Sequence, residues 1–112
     1  MANTPEEAQS ECNKLNSRLV HVNTVEKREL IVAVITVRNE EYNYWLDGYR
    51  EFPAFLNDDW KFSNGEKFPA EAWSDGFPND HNSQCVHVWA SGGYVIDDVS
   101  CDSVSQRYIC EK

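Results

Sequence analysis

Between Trp73 and Cys101 the chain reads WSDGFPNDHNSQCVHVWASGGYVIDDVSC, and its oxygen-bearing side chains are of the kinds that hold a hard cation or a polyol. The amide of Asn79, the carboxylates of Asp97 and Asp98, and the carbonyls of the loop Phe77-Pro78-Asn79-Asp80 are the candidate donors. They have to be gathered by a β-hairpin with Gly92-Gly93 at its turn. Cys85 and Cys101 each lie eight residues from Gly93. The turn therefore predicts them opposite one another, where paired Cβ atoms sit about 4.5–5.5 Å apart and modest adjustment closes a disulfide. The same folding-back brings Asp97 and Asp98 near Val88 and Trp89, on strands leading away from the loop.

With Cys85–Cys101 selected, Cys12 and Cys110 are left to pair. Zinc is the rival use of four cysteines, but Cys12, Cys85, Cys101 and Cys110 contain no close CxxC pair. Two disulfides in 112 residues imply an oxidising compartment, so a secreted protein or the extracellular part of a membrane protein. The length is that of one domain, residues 1–112, with an aromatic-rich core drawn from four Trp, five Tyr and five Phe. The net charge of −9 and the lack of any basic run make nucleic acid and anionic membrane poor partners. The acids lean toward the second half, with Asp58, Asp59, Asp75, Asp80, Asp97, Asp98 and Asp102. They read either as a self-repelling, solvated surface or, in part, as cation ligands. No apolar run reaches transmembrane length and residues 1–20 lack a signal-peptide centre, so no membrane insertion is expected of this segment. Met1-Ala2 reads as an expression start placed on a mature, normally secreted or ectodomain segment. No Asn-x-Ser/Thr sequon is present.

The elements follow from local signals. Thr4, Pro5 and Glu7 mark a helix start, and Ala8, Cys12 and Leu15 give that helix an inward face. A strand-like link at Leu19–Val22 follows. Thr24 caps a second helix whose apolar face includes Leu30, Ile31, Val34 and Ile35. Its β-branched end, Val32 to Val37, leaves the boundary open. Tyr42–Tyr49 is an aromatic strand. Residues 50–84 are mostly irregular, apart from a short strand and turn at Trp60-Lys61-Phe62 and Ser63-Asn64-Gly65. Cys85–Trp89 and Tyr94–Val99 form the hairpin, and Gln106–Glu111 the closing strand. The fold class is α+β: two helices, small antiparallel sheets and a long loop region.

In order and spacing, this chain resembles the C-type lectin-like domain. The resemblance rests on Ala8 and Cys12, Leu19-Val20-His21-Val22, Glu26, Tyr44-Trp45-Leu46-Asp47-Gly48, Trp60, the Trp73–Cys101 region, and Tyr108-Ile109-Cys110-Glu111, and it covers about residues 4–112. It implies that the long loop carries the binding site. One departure stands out. The family pattern begins with a strand before the first helix, and only Met1 to Asn3 precede the cap here. Either the segment is trimmed ahead of that strand, or the fold tolerates an exposed edge at Tyr108-Ile109-Cys110, through which a second copy could pair.

In sugar-binding members of the family, calcium is held by a Glu-Pro-Asn or Gln-Pro-Asp triplet, a Glu before the third cysteine, and an Asn-Asp pair before the fourth. Here the triplet becomes Phe77-Pro78-Asn79, the Glu falls at about Ser83 beside Gln84, and the pair becomes Asp97-Asp98. The resemblance implies a degraded site, with Asn79, Asp97 and Asp98 as the metal ligands. Calcium is then weakly held or absent, and no organic cofactor is implied. Phe77, Asn79, Asp80, His81, Asp97 and Asp98 form the expected ligand surface, and Trp89 can add a stacking face. His21 and His87 read as structural. Two functions stay open: a carbohydrate-binding module, or a calcium-independent domain that takes a protein ligand. No nucleophile–base motif supports an enzyme.

Overall fold

The computed structural model describes residues 1–51, 60–80, 82–102 and 105–112. The first helix, α1, spans Pro5–Lys14, with the Thr4 hydroxyl accepting the Glu7 N–H at 3.1 Å and proline in the first turn. It buries Ala8 and Cys12. Leu15, expected inward, is the C-cap residue, where the chain leaves the helical path, and its side chain is 64% exposed.

After β1 (Arg18–Leu19), α2 runs over Val25–Arg38. Thr24 caps its start, and Asn39 ends it in the left-handed region at φ 52°. The β-branched run stays helical because Ile31 and Ile35, one turn apart, lock that end into the core. Leu30 and Val34, expected to face inward, are 58% and 50% exposed. The buried stripe is narrower than the apolar pattern.

Four more strands follow: β2 (Tyr44–Tyr49), β3 (Cys85–Trp89), β4 (Val95–Val99) and β5 (Arg107–Tyr108) form a sheet in the order β4-β3-β2-β5. A sixth, β6 (Cys110–Glu111), pairs with β1. Strand β2 is nearly all buried because both its faces are covered. Trp45 packs with α1, Leu19 and Cys85 on one face, and Tyr44 and Leu46 with Ile31, Ile35, Phe68 and Trp73 on the other. That is why the segment reads YWLDGY rather than as a polar–apolar alternation.

Three expectations are corrected here. The sheets are not wholly antiparallel, since β5 pairs parallel with β2 through Tyr44–Arg107 and Trp45–Tyr108. The single closing strand is two short ones that serve different sheets. The third correction concerns register. Cys85 lies opposite Val99, not Cys101, because the turn is a 3-10 turn over Ala90–Gly92 closed by Gly93 at φ 94° and Tyr94 at φ 62°. Asp97 therefore faces His87, and Asp98 faces Val86. A two-residue slip leaves every side chain on its expected face, and the chain beyond β4 still returns Cys101 to Cys85.

Both disulfides have formed as expected, Cys12–Cys110 with Cα atoms 5.5 Å apart and Cys85–Cys101 at 5.1 Å. No strand precedes α1 among the described residues, but Ala2 takes a place in the ladder by exchanging two backbone hydrogen bonds with Gln106, each 2.9 Å. Its carbonyl also accepts the buried Trp45 indole N–H at 2.9 Å. The segment Tyr108–Cys110 is half-buried. The Trp60–Phe62 strand reduces to isolated bridges, with Lys61 opposite Tyr49 and opposite Lys67, while the Ser63-Asn64-Gly65 turn forms as expected, the Gly65 N–H donating to the Phe62 carbonyl at 2.9 Å. No helix among the described residues is long and apolar enough to cross a membrane.

Candidate functional site

Strand alternation decides which candidate residues can meet. Asp97 and Asp98 are neighbours on β4, so their side chains leave opposite faces of the sheet. Asp98 is 5% exposed, and its carboxylate closes on the loop that follows Pro78. Oδ1 accepts the Asn79 N–H at 2.9 Å, and Oδ2 accepts the Asp80 N–H at 2.9 Å and the Ser83 hydroxyl. Asp97 instead meets Nε2 of buried His87 at 3.0 Å, while Nδ1 of that ring faces the Gln106 side-chain amide at 2.9 Å. The structure thus brings Asn79, Asp80 and Asp98 together, and leaves Asp97 on the far face.

The same loop is gripped from its other side. Arg50, 2% exposed, follows the end of β2. Its Nε donates to the Ser83 carbonyl at 2.8 Å and its Nη2 to the Asp80 carbonyl at 2.7 Å. The guanidinium carbon lies 4.8 Å from the centre of the Trp60 ring, a cation–π contact. Among the described residues Arg50 has no carboxylate partner, and carbonyl oxygens and a ring face offset its burial. Backbone donors run to Asp98 and backbone acceptors to Arg50. Asn79, Asp80 and Ser83 are therefore held by opposite charges acting on opposite ends of the loop's peptide dipoles.

Around this loop Phe77 and Pro78 are half-buried, with a cis peptide bond between them, and Asn79 and Asp80 are exposed. His81 lies outside the described residues. Trp89 is 39% exposed, on the face of β3 shared with His87 and therefore away from Asp98. His21 and His87 are both buried, as befits structural residues. His21 stacks on Phe62 with ring centres 4.4 Å apart. Its Nε2 lies 2.5 Å from Asp47 Oδ2. Asp47 also accepts the Ser63 N–H and hydroxyl.

The donor set does not fit calcium. Calcium takes six to eight oxygens (about 2.3–2.6 Å away), whereas both Asp98 oxygens are already engaged by three protein donors and Asp97 points elsewhere. Among the described residues no group of three or more His, Cys, Asp or Glu side chains is placed to hold a metal ion. Ser83, at the position of a lost glutamate, instead gives a hydroxyl to Asp98. Neither this role nor that of Arg50 is readable from the sequence, because the partner oxygens of Arg50 are main-chain carbonyls about thirty positions away.

The family model described as the lectin C-type domain matches residues 2–112, and the chain belongs to that family. A perlucin-like protein of Mytilus galloprovincialis is 27% identical over 107 residues, which cover 93% of this chain and 67% of the mussel protein. The chain spans 39% of another relative, lectin subunit alpha of Sarcophaga peregrina, at 29% identity. Among solved structures, an SPL-1–GlcNAc complex superposes with a TM-score of 0.79 at 19% identity, covering 98% of this chain and 80% of that one. The Ca2+-independent C-type lectin SPL-2 of Saxidomus purpuratus superposes with a TM-score of 0.77 at 17% identity, covering 96% and 78%. At these identities the structural likeness shows the fold.

Proposed function

We propose that this domain is a non-enzymatic extracellular recognition module. Its ligand is carbohydrate, bound at the long-loop surface of Phe77, Asn79, Asp80 and, from the sequence pattern, His81. The observation that carries this reading is the Asp98–loop–Arg50 arrangement. It holds the family's ligand-binding loop in shape with protein hydrogen bonds and so needs no ion to do so. Calcium dependence is weak or absent accordingly. A structural neighbour described as Ca2+-independent and another solved with GlcNAc support this reading. The two disulfides suit the oxidising exterior of the cell.

The test is a glycan array probed in EDTA and again in millimolar calcium. Equal binding in both, lost in Phe77→Ala and in Asn79→Ala, supports the reading. Binding that appears only with calcium overturns the calcium-independent part. No glycan binding in either buffer favours the second reading, a protein ligand. The observation behind that alternative is the exposed stripe of Leu30, Val34 and Val37 on α2, at 58%, 50% and 85% exposure.

A further inference from the structure

Next to the loop surface lies a recess of about 250 Å³ walled by Trp60, Phe68, Trp73, Phe77 and Pro78. Lys67 is the only charged residue among its described lining. The Lys67 position is paired across a backbone bridge with Lys61, so the two lysines are directly opposed on adjacent antiparallel segments, and both are exposed. Directly opposed like charges repel. The chain has 19 acids for 10 bases, yet among the described residues neither lysine has a carboxylate within ion-pair distance. Arg18, Lys27, Arg38 and Arg107, by contrast, are all paired with glutamates. Two directly opposed, exposed cations, one of them lining an aromatic recess, suit a ligand that brings its own negative charge.

We propose that the glycan unit taken here is anionic, a pyranose bearing a carboxylate or a sulfate. Its anionic group lies between Lys61 and Lys67, and its apolar C–H face rests on Phe77. Lysine suits this as a compact point charge with rotatable donors, which accepts either anion. The ring face of Phe77 supplies apolar contact that a sugar's axial C–H groups can use. The surrounding net charge of −9 repels anions from most of the surface, so any attraction is local to this pair. The inference rests on the carbohydrate reading of the long-loop surface and names the ligand class for it.

The experiment measures affinity for three probes of equal length: an oligogalacturonate, a sulfated oligogalactose and a neutral oligogalactose. Wild type should bind at least one anionic probe ten-fold or more tighter than the neutral one, with affinity falling as salt rises. The two anionic arms separate carboxylate from sulfate as the source of charge. The variant Lys61→Gln with Lys67→Gln, at exposed positions that leave the core untouched, should bring the anionic probe down to the neutral level and remove the salt dependence. Lys112→Gln, a basic residue remote in sequence from the recess, should change nothing. Neutral and anionic probes bound equally by wild type would overturn the inference and leave the carbohydrate reading standing, as would undiminished anionic binding by the double variant. No binding of any probe, together with a blank glycan array, overturns both.

Discussion

Arg50 and Asp98 form no ion pair, yet each holds the same loop, the arginine through the Asp80 and Ser83 carbonyls and the aspartate through the Asn79 and Asp80 N–H groups. Both are almost completely buried. Their attraction is transmitted by the peptide groups between them, and removing either leaves the other buried with loosened partners. Arg50→Ala and Asp98→Ala should each cost about 2–4 kcal/mol of stability. Because they share one loop, the double variant should lose less than the sum, with a coupling of about 0.5–3 kcal/mol. Urea unfolding of the four proteins in calcium-free buffer measures this. Strict additivity would mean the loop does not link them.

Calcium should leave the protein unmoved. A ligand that binds only the folded state at about 100 times its dissociation constant adds roughly 2.7 kcal/mol, which a melting curve resolves easily. The expectation is the same melting temperature in EDTA and in millimolar calcium. Phe77→Glu, which adds one carboxylate beside the loop, should not create calcium binding, because Asp98 stays committed to its three protein donors. A calcium-dependent rise in melting temperature for the wild type would contradict the donor assignment.

Acid should weaken the fold in two stages. Burial, partly opposed by the Asp47 carboxylate, lowers the His21 pKa from its ordinary value of 6.5. Burial alone would raise the Glu111 pKa, but the Lys27 ammonium, the His21 backbone N–H and Arg18 together hold it below its ordinary 4.5. Both groups bind more protons in the unfolded chain than in the folded one, so stability rises with pH through both windows. The His21 share is complete above pH 6.5 and is lost as pH falls toward its lowered folded value. The Glu111 share is complete above 4.5 and is lost on further acidification. Urea midpoints at a series of pH values should show both slopes. Glu111→Gln should flatten the more acidic slope and, by removing a carboxylate that raises the His21 pKa, extend the upper window toward lower pH; a profile unchanged by it would contradict the assignment.

The two disulfides should differ in worth. Cys12–Cys110 spans 98 positions and Cys85–Cys101 spans 16, and in the chain-entropy account the longer loop is worth about 4–5 kcal/mol and the shorter about 3. Replacing Cys12 and Cys110 together by serine should therefore lower the urea midpoint more than replacing Cys85 and Cys101. The shorter bridge closes the hairpin that carries Asp98. Its loss should reduce ligand binding even where the domain remains folded, which a binding assay below the unfolding transition would reveal.

The sequence by itself determined the helices, the disulfide partners and the family, and the reasons are local. The Thr4 and Thr24 caps, proline at the first helical position, the glycines at the hairpin turn and four cysteines without a metal spacing act over a few residues or by elimination. The order of aromatic and cysteine markers along the chain is also a one-dimensional property. Face was legible too, since Asp97 and Asp98 are adjacent on a strand and alternation alone sends them to opposite sides.

Only the tertiary structure decided what those side chains hold. The hairpin register turned on a 3-10 turn closed by two residues with positive φ, a backbone choice that Gly92-Gly93 permits but does not dictate. The exposure of Leu30 and Val34 depended on how narrow a stripe of α2 the core could cover. The roles of Arg50 and Ser83 depended on main-chain oxygens and a carboxylate that approach from distant segments. Backbone groups are the same in every residue, so a side chain that binds to them leaves no mark in the residue types of its partner. For that reason the identity of the loop could be read from the chain, while the means by which it is held could be found only in three dimensions.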